Sequence, residues 1–213
     1  MICGLLGEKL GHSYSPQIHS MLGCYEYRLF ERDSSELDAF FADTKWQGVN
    51  VTIPYKRSAM SYCDFISERA QRIGCVNTIV RRDGKLYGYN TDYDGFLALV
   101  RLSGLKLSGK KALILGSGGA SLTAQCVLRE LGAEPVVISR SGENNYENIY
   151  EHKDALLLVN ASPVGMYPNN GECLVELARL PSLRCVLDIV YNPMRTRLML
   201  DAQRLGIKAL GGL

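Results

Sequence analysis

The sequence predicts an α/β fold in two parts, and three observations predict it. Short apolar runs alternate with helix-like stretches from one end of the chain to the other, the pattern of strands and helices in turn rather than of a sandwich or a bundle. A basic, glycine-containing connector, Leu105-Lys106-Leu107-Ser108-Gly109-Lys110-Lys111, then interrupts the chain ahead of a fresh buried strand. Directly after that strand, Gly116-Ser117-Gly118-Gly119-Ala120-Ser121 leads into an amphipathic run through Leu131, which reads as strand, glycine-rich turn and helix.

Taken in order, the strands are expected at 2–6, 25–30, 47–53, 75–81, 84–88, 111–115, 135–138, 155–159, 185–189 and 207–209. The strands 75–81 and 84–88 form a hairpin through Asp83-Gly84. Strand 47–53 alternates apolar Val49, Val51 and Ile53 with polar Asn50 and Thr52 until Pro54 ends it. Helices are expected at 16–22, 34–43, 66–72, 93–103, 119–131 and 195–205. Pro16 suits a first helical position, and Thr91 with Asp94 has capping-box spacing at the head of 93–103. Only 19 residues separate Arg140 from Asn160. A parallel crossover takes about a dozen, so one small crossover and one strand fit there and a further strand-helix unit does not.

Composition excludes several classes. Of the 213 residues 46% are hydrophobic and 22% charged, as in globular domains, which argues against a disordered, collagen-like or coiled-coil chain. A formal charge of +2 is too balanced for nucleic-acid binding through counterion release. The apolar start Met1-Ile2-Cys3-Gly4-Leu5-Leu6 meets Gly7-Glu8-Lys9 before it reaches the length of a signal, and no later stretch is long enough to span a bilayer. A soluble, cytoplasmic protein with no membrane partner is the expectation. Seven scattered cysteines, with no Cys-x-x-Cys pair, are expected to be reduced core residues, and no metal site is expected. His12 and His19 lack a partner pattern for metal or acid-base work and read as structural.

The glycine turn would let backbone N–H groups at a helix N-terminus approach a dinucleotide pyrophosphate. Gly116 and Gly118 supply the first two glycines of the usual pattern and Ser121 stands at the third, so an ordinary tight turn stays open as the alternative. Where a cofactor with a free ribose 2′-hydroxyl would want an acidic residue, strand 135–138 ends in Ser139-Arg140-Ser141, a guanidinium between two hydroxyls. That favours NADP over NAD and counts against S-adenosylmethionine; the alternative for Arg140 is a solvated loop charge. In the first half, Gly11-His12-Ser13-Tyr14-Ser15-Pro16 sets Ser13 and Ser15 on one side of a segment expected to be extended, suited to a carboxylate, with an ordinary N-cap at Ser15 as the alternative. Lys56 leaves from a strand end, where α/β proteins place their sites, and by itself would be a surface lysine. Asp92 suits the positive end of its helix with or without a further role.

These pieces together resemble the shikimate dehydrogenase family, in order and over the whole chain. The similar segments are Gly11 to Pro16, Asn50-Val51-Thr52-Ile53-Pro54-Tyr55-Lys56, Gly74-Cys75-Val76-Asn77-Thr78, Asn90-Thr91-Asp92, Gly116 to Ala120, Asn160-Ala161-Ser162-Pro163-Val164-Gly165-Met166 and Asp188-Ile189-Val190-Tyr191-Asn192-Pro193. The resemblance implies a substrate domain at 1–93, a Rossmann-like NADP domain at 94–213, and reversible NADPH-dependent reduction of 3-dehydroshikimate to shikimate in aromatic amino acid biosynthesis. It implies Lys56 as catalytic acid/base with Asp92 as its partner, Ser13 and Ser15 as carboxylate ligands, and Thr52, Asn77 and Tyr191 as further substrate contacts. On the cofactor side it implies Gly116, Ser117, Gly118, Gly119 and Ala120 at the pyrophosphate, Ser139, Arg140 and Ser141 at the 2′-phosphate, and Ala161, Ile189 and Gly212 near the nicotinamide. Asn160-Ala161-Ser162-Pro163 stands where the family has Asn-Ala-Thr-Ser. After Gly211-Gly212-Leu213 the resemblance implies a Met-Leu segment, a substrate-binding Gln and helices returning to the first domain, and this return segment is expected to be missing. The alternatives are a quinate/shikimate dehydrogenase, against which Ser15 argues, and a non-catalytic NADP-binding relative. A homodimer is one assembly left open.

Overall fold

The computed structural model describes residues 1–11 and 13–212; His12 and the final Leu213 lie outside the described residues. The chain divides into two compact units, Met1–Thr91 and Asp92–Leu213.

In the first unit, β1 (Ile2–Gly7) runs parallel to β2 (Glu26–Glu31) on one side and β3 (Gly48–Val51) on the other. A short parallel strand, β4 (Phe65–Ile66), and the hairpin β5 (Thr78–Arg82) and β6 (Lys85–Tyr89) complete the sheet, in the order β2-β1-β3-β5-β6-β4. Asp83 and Gly84 at the hairpin tip both take positive φ, 51° and 74°, the two-residue turn whose twist matches that of the strands it joins. Helices α1 (Ser15–Leu22), α2 (Leu37–Ala42) and α3 (Glu68–Ile73) lie between the strands in sequence. The core gathers Leu6, Phe40, Phe41, Trp46, Val49, Val51 and Ile79. Trp46 stacks on Phe40 and donates its indole N–H to the Phe40 carbonyl at 3.1 Å, so its one polar atom is satisfied.

Several expectations need correction here. Ser15 is not extended: it opens α1, with Tyr14 in helical conformation before it and Pro16 in the first turn. The reason is local, since the Ser13 hydroxyl accepts from the Ser15 N–H at 3.1 Å and turns the chain early. The helix expected at 34–43 splits into a 3-10 turn, Ser34–Glu36, closed by reciprocal bonds between Asp33 and Glu36, and then α2. The strand expected at 47–53 stops at Val51, because Thr52 begins a turn in which its carbonyl accepts from Tyr55 N–H at 2.9 Å.

In the second unit, α4 (Asp92–Ser103) precedes five strands that are all parallel: β7 (Lys111–Leu115), β8 (Glu134–Ile138), β9 (Leu157–Asn160), β10 (Cys185–Asp188) and β11 (Lys208–Gly211). Helix α5 (Gly119–Glu130) joins β7 to β8, and α6 (Arg197–Arg204) precedes β11. The order β11-β10-β9-β7-β8 puts the topological switch between β7 and β9, the point where open α/β sheets leave a crevice at their strand ends. Both faces are buried, as a parallel sheet requires. Ala112, Ile114, Leu157, Val159 and Leu187 face one core with Phe96, Val100, Ala124 and Leu128. Leu113, Leu115, Leu158 and Val186 face the other with Ile149, Leu177, Leu183 and Leu198.

All seven cysteines are free thiols. Cys75, Cys126 and Cys185 are buried, but Cys24 is exposed, so it is not a core residue. Burial pushes the Cys185 thiol up to about 11, which keeps it protonated and inert at neutral pH. Among the described residues no helix is long and apolar enough to cross a membrane, and no three His, Cys, Asp or Glu side chains gather in a group that could hold a metal.

Candidate active site

In the first unit the expected residues gather around the C-terminal end of β3. Gly7 ends β1 against the turn after β3: a Cβ at Gly7 would lie 2.8 Å from the Thr52 methyl, so only glycine allows this approach. The Thr52 N–H donates to the Leu6 carbonyl at 2.9 Å, and among the described residues the Thr52 hydroxyl has no partner. Tyr55 is the anchor of this turn. It is 3% exposed and donates its phenol O–H to the Arg32 carbonyl at 2.6 Å. Half-buried Lys56 follows it, its carbonyl held by the Val76 N–H at 2.8 Å. The sequence offered one signal for Tyr55, an aromatic side chain between a proline and a lysine at a strand end, and it was too common to use.

Asn77 is 7% exposed and spends its amide on its own unit. Its Oδ1 accepts from the Thr91 N–H at 2.8 Å and its Nδ2 donates to the Thr91 hydroxyl at 2.9 Å. Asn77 therefore holds the residue before Asp92. Thr78 joins it to Asn50, whose Oδ1 accepts from the Tyr27 phenol at 2.8 Å. His19 of α1 stacks on Tyr27, with centroids 3.8 Å apart, and meets Tyr25 at its Nδ1, the structural role expected of it. Burial lowers the pKa of His19, and a hydrogen bond with Asn50, which favours the protonated ring, opposes that in part. A line of polar side chains thus runs from α1 to the end of β6. Ser13 is half-buried beside the head of α1, and its hydroxyl, having accepted from Ser15 N–H, keeps its own proton to donate.

In the second unit the glycine turn is built as its chemistry needs. Gly116 has φ +97°, and a Cβ there would lie 3.1 Å from both the Ala161 carbonyl and the Ser162 side chain. Its glycine is required by backbone conformation and by the close approach of the next strand's loop. Gly118 is the N-cap of α5, with no side-chain cap and open space where a Cβ would sit. The 12-residue α5 begins at Gly119 and Ala120, with Ser117 exposed just before. Ser121, in place of the third glycine, is fully buried and accepts from Gln125 at 3.2 Å, so a small side chain fits where helix and sheet pack closely. This turn fits a pyrophosphate: a cleared helix N-terminus offering backbone N–H groups.

The loop after β8 carries Ser139, Arg140 and Ser141. Arg140 is exposed, with no hydrogen bond or ion pair among the described residues, and no carboxylate of the loop is paired with it. The loop is tied by asparagines rather than by helix: Ser139 N–H donates to Asn144 carbonyl, Asn145 N–H to Asn148 Oδ1, and Asn148 Nδ2 to Glu143 carbonyl. Tyr146 sits beneath it, its pKa raised by burial and lowered again by the Arg140 charge and a Ser162 hydrogen bond.

Ala161, Ile189 and Gly212 come together at the ends of three adjacent parallel strands. Ile189 N–H donates to the Asn160 carbonyl at 3.0 Å, and a Cβ on Gly212 would lie 2.9 Å from the Ile189 carbonyl. Tyr191, 37% exposed, follows on the same segment. Beneath them lies a buried cluster that sequence reasoning missed as a site: Asp188, Asn160 and Thr196, with Asp188 and Thr196 fully buried. Burial raises the Asp188 pKa, opposed by the hydrogen bonds it accepts from Thr196, Val190 N–H and Asn160. The one signal was a lone acidic residue closing the apolar strand Cys185-Val186-Leu187. Asp92 opens α4 and belongs to this second unit, whereas Lys56 belongs to the first.

Residues 5–79 match the family model described as the shikimate dehydrogenase substrate binding domain. A curated relative from Clostridium beijerinckii, shikimate dehydrogenase (NADP(+)), is 38% identical over 99% of this chain and 85% of its own. Among solved structures, shikimate dehydrogenase 1 from Peptoclostridium difficile superposes with a TM-score of 0.92 at 38% identity, over 100% of this chain and 86% of that one. The Thermus thermophilus shikimate 5-dehydrogenase, solved in complex with NADP(H) and shikimate, does so with a TM-score of 0.85 at 32% identity, over 100% and 87%.

Proposed function

The chain belongs to the shikimate dehydrogenase family, and from that premise we propose that it catalyses the reversible NADPH-dependent reduction of 3-dehydroshikimate to shikimate, in the cytoplasm, as a step toward aromatic amino acids. One observation carries the reading. A cleared glycine turn follows β7 at the head of α5, on a chain 38% identical over 99% of its length to a relative named shikimate dehydrogenase (NADP(+)).

The first unit acts as the substrate domain and the second as the NADP domain. Gly116 to Ala120 would hold the pyrophosphate, and Ser139, Arg140 and Ser141 the 2′-phosphate, where an exposed guanidinium with no hydrogen bond or ion pair among the described residues is available for a bidentate contact. Ala161, Ile189 and Gly212 wall the nicotinamide. NADPH, when bound, supplies the hydride. The remaining work belongs to side chains of this chain. Ser13 and Ser15 donate to the substrate carboxylate, for which Ser13 keeps its hydroxyl proton, and Thr52 and Tyr191 contact the ring substituents. Lys56 gives its ammonium proton to the carbonyl oxygen as that oxygen takes up the C=O electron pair, and in the reverse direction Lys56 takes the hydroxyl proton back. Asp92 orients the hydroxyls and the ammonium. Asn77 contributes by fixing Thr91, and so the start of the helix that carries Asp92.

Steady-state kinetics with each coenzyme test this. Arg140→Ala is expected to raise the KM for NADPH by roughly tenfold or more, the loss of a charge-assisted bond of about 1.5–3 kcal/mol, and to leave NADH use nearly unchanged. A wild-type enzyme that uses NADH as well as NADPH would overturn the coenzyme assignment. Turnover of quinate at the rate of shikimate would overturn the substrate assignment.

A further inference from the structure

The carboxylate of Asp188 has no part in the proton transfer, yet it is fully buried and is the hub of three segments. Its Oδ1 accepts from Asn160 Nδ2 at 2.9 Å and from the Val190 N–H at 3.0 Å, and its Oδ2 accepts from the Thr196 hydroxyl at 2.5 Å. Asn160 extends the network into the loop after β9. Its Nδ2 donates also to the Val164 carbonyl at 3.1 Å, and its Oδ1 accepts from the Ser162 hydroxyl at 2.8 Å and the Ser162 N–H at 3.2 Å. Thr196 extends it into α6, where its hydroxyl accepts from the Met199 N–H at 3.3 Å as the N-cap. The two loops also meet directly, Tyr167 N–H donating to the Asn192 carbonyl at 2.9 Å.

We propose that Asp188 is a positioning residue for the cofactor face: acting through Asn160 and Thr196, it sets the backbone that presents Ala161, Ile189 and Tyr191, and thereby NADPH affinity and turnover. The proposal rests on the reading of the chain as an NADP-dependent dehydrogenase. Its physical ground is that a buried carboxylate needs its donors and cannot exchange them for water. The loop from Ala161 to Val164 and the turn from Ile189 to Val190 are therefore tied to one another through this carboxylate as well as through the direct bond from Ile189 N–H to the Asn160 carbonyl. A shift in either would misplace groups at the reacting centre, where about 1 Å costs up to about 100-fold. Lys56 and Ser13 belong to the other unit.

The test uses the full chain with Asp188→Asn, Thr196→Val and Thr196→Ser. Asp188→Asn turns one acceptor into a donor facing donors; Thr196→Val deletes one hydroxyl; Thr196→Ser keeps it. Melting curves first set a temperature at which each variant is folded. At that temperature, the NADPH Kd is read by calorimetry, turnover by kinetics, and amide hydrogen exchange of 160–166 and 189–195 without ligand. Asp188→Asn and Thr196→Val are expected to raise the Kd roughly tenfold or more, to lower kcat, and to speed exchange in both segments together, with Thr196→Ser restoring all three. If Asp188→Asn does not fold, the Val and Ser pair decides alone. Variants that only melt earlier, with wild-type Kd and kcat while folded, would show a merely structural carboxylate and overturn the proposal. A wild-type chain that does not bind NADPH would instead overturn the functional reading, a separate outcome.

Discussion

Lys56 shows how much of a site one residue can declare. Its position after a strand was legible, because Pro54 closes the alternation of Val49, Val51 and Ile53 and leaves the next residues at a strand end. Its support was not: the Tyr55 bond to Arg32 and the Val76 bond to the Lys56 carbonyl pair residues 23 and 20 positions apart, and nothing in a linear sequence marks such pairings. Lys56→Ala is expected to lower kcat by about 10² to 10⁴, the range for a lost general acid/base, with a much smaller change in shikimate affinity. Retained turnover in that variant would return Lys56 to the surface. Asn77 is the complementary case. It was legible as a site residue only through resemblance, and its hydrogen bonds to Thr91 emerge from the fold, since β5 and β6 must pair before the two residues meet.

At the scale of elements, the strand β7 and the start of α5 fall where periodicity puts them, because a continuous apolar run and a glycine turn are local signals. The two-residue β4 escaped, being too short to show any period. The start of α6 was misplaced because its cap, Thr196, is chosen by a distant carboxylate as much as by its own helix. The glycine turn separates two requirements that a motif merges. Gly116→Ala forces a positive φ on a residue with a Cβ and crowds the 161–162 backbone, so a loss of about 1–3 kcal/mol of stability is expected. Gly118→Ala meets open space and an extended backbone, so its melting temperature should stay close to wild type while the KM for NADPH rises. Thermal melts and coenzyme titrations on the two variants would reverse this reading if Gly118→Ala proved the less stable of the pair.

At the scale of the molecule, two side chains, one in each unit, answer acid with opposite signs. His19 in the first has a lowered pKa, so the unfolded chain binds its proton first: stability is full above the ordinary value of 6.5 and is lost as the pH falls below it. Asp188 in the second has a raised pKa, so the folded state holds a proton that the unfolded chain has released: between the ordinary 3.8 and its raised value, acid favours the fold. Melts of the wild type between pH 7.5 and 5 are expected to show the His19 loss, and His19→Gln to flatten it; an unchanged slope in that variant would remove His19 as the cause.

The asparagine-tied loop after β8 has a consequence for how this enzyme could change. The segment proposed to meet the 2′-phosphate stands where many nucleotide folds place a crossover helix, and its ties are mostly internal, Asn144, Asn145 and Asn148 bonding to their own neighbours. The sheet keeps its pairings on either side, β8 ending at Ile138 and β9 starting at Leu157. On the proposed reading, coenzyme choice would be housed in a segment whose polar ties are mostly its own and whose anchor in the core is Ile149. Substitutions at the exposed Arg140 and its neighbours are then expected to shift preference between dinucleotides while the strand pairings of β8 and β9 persist.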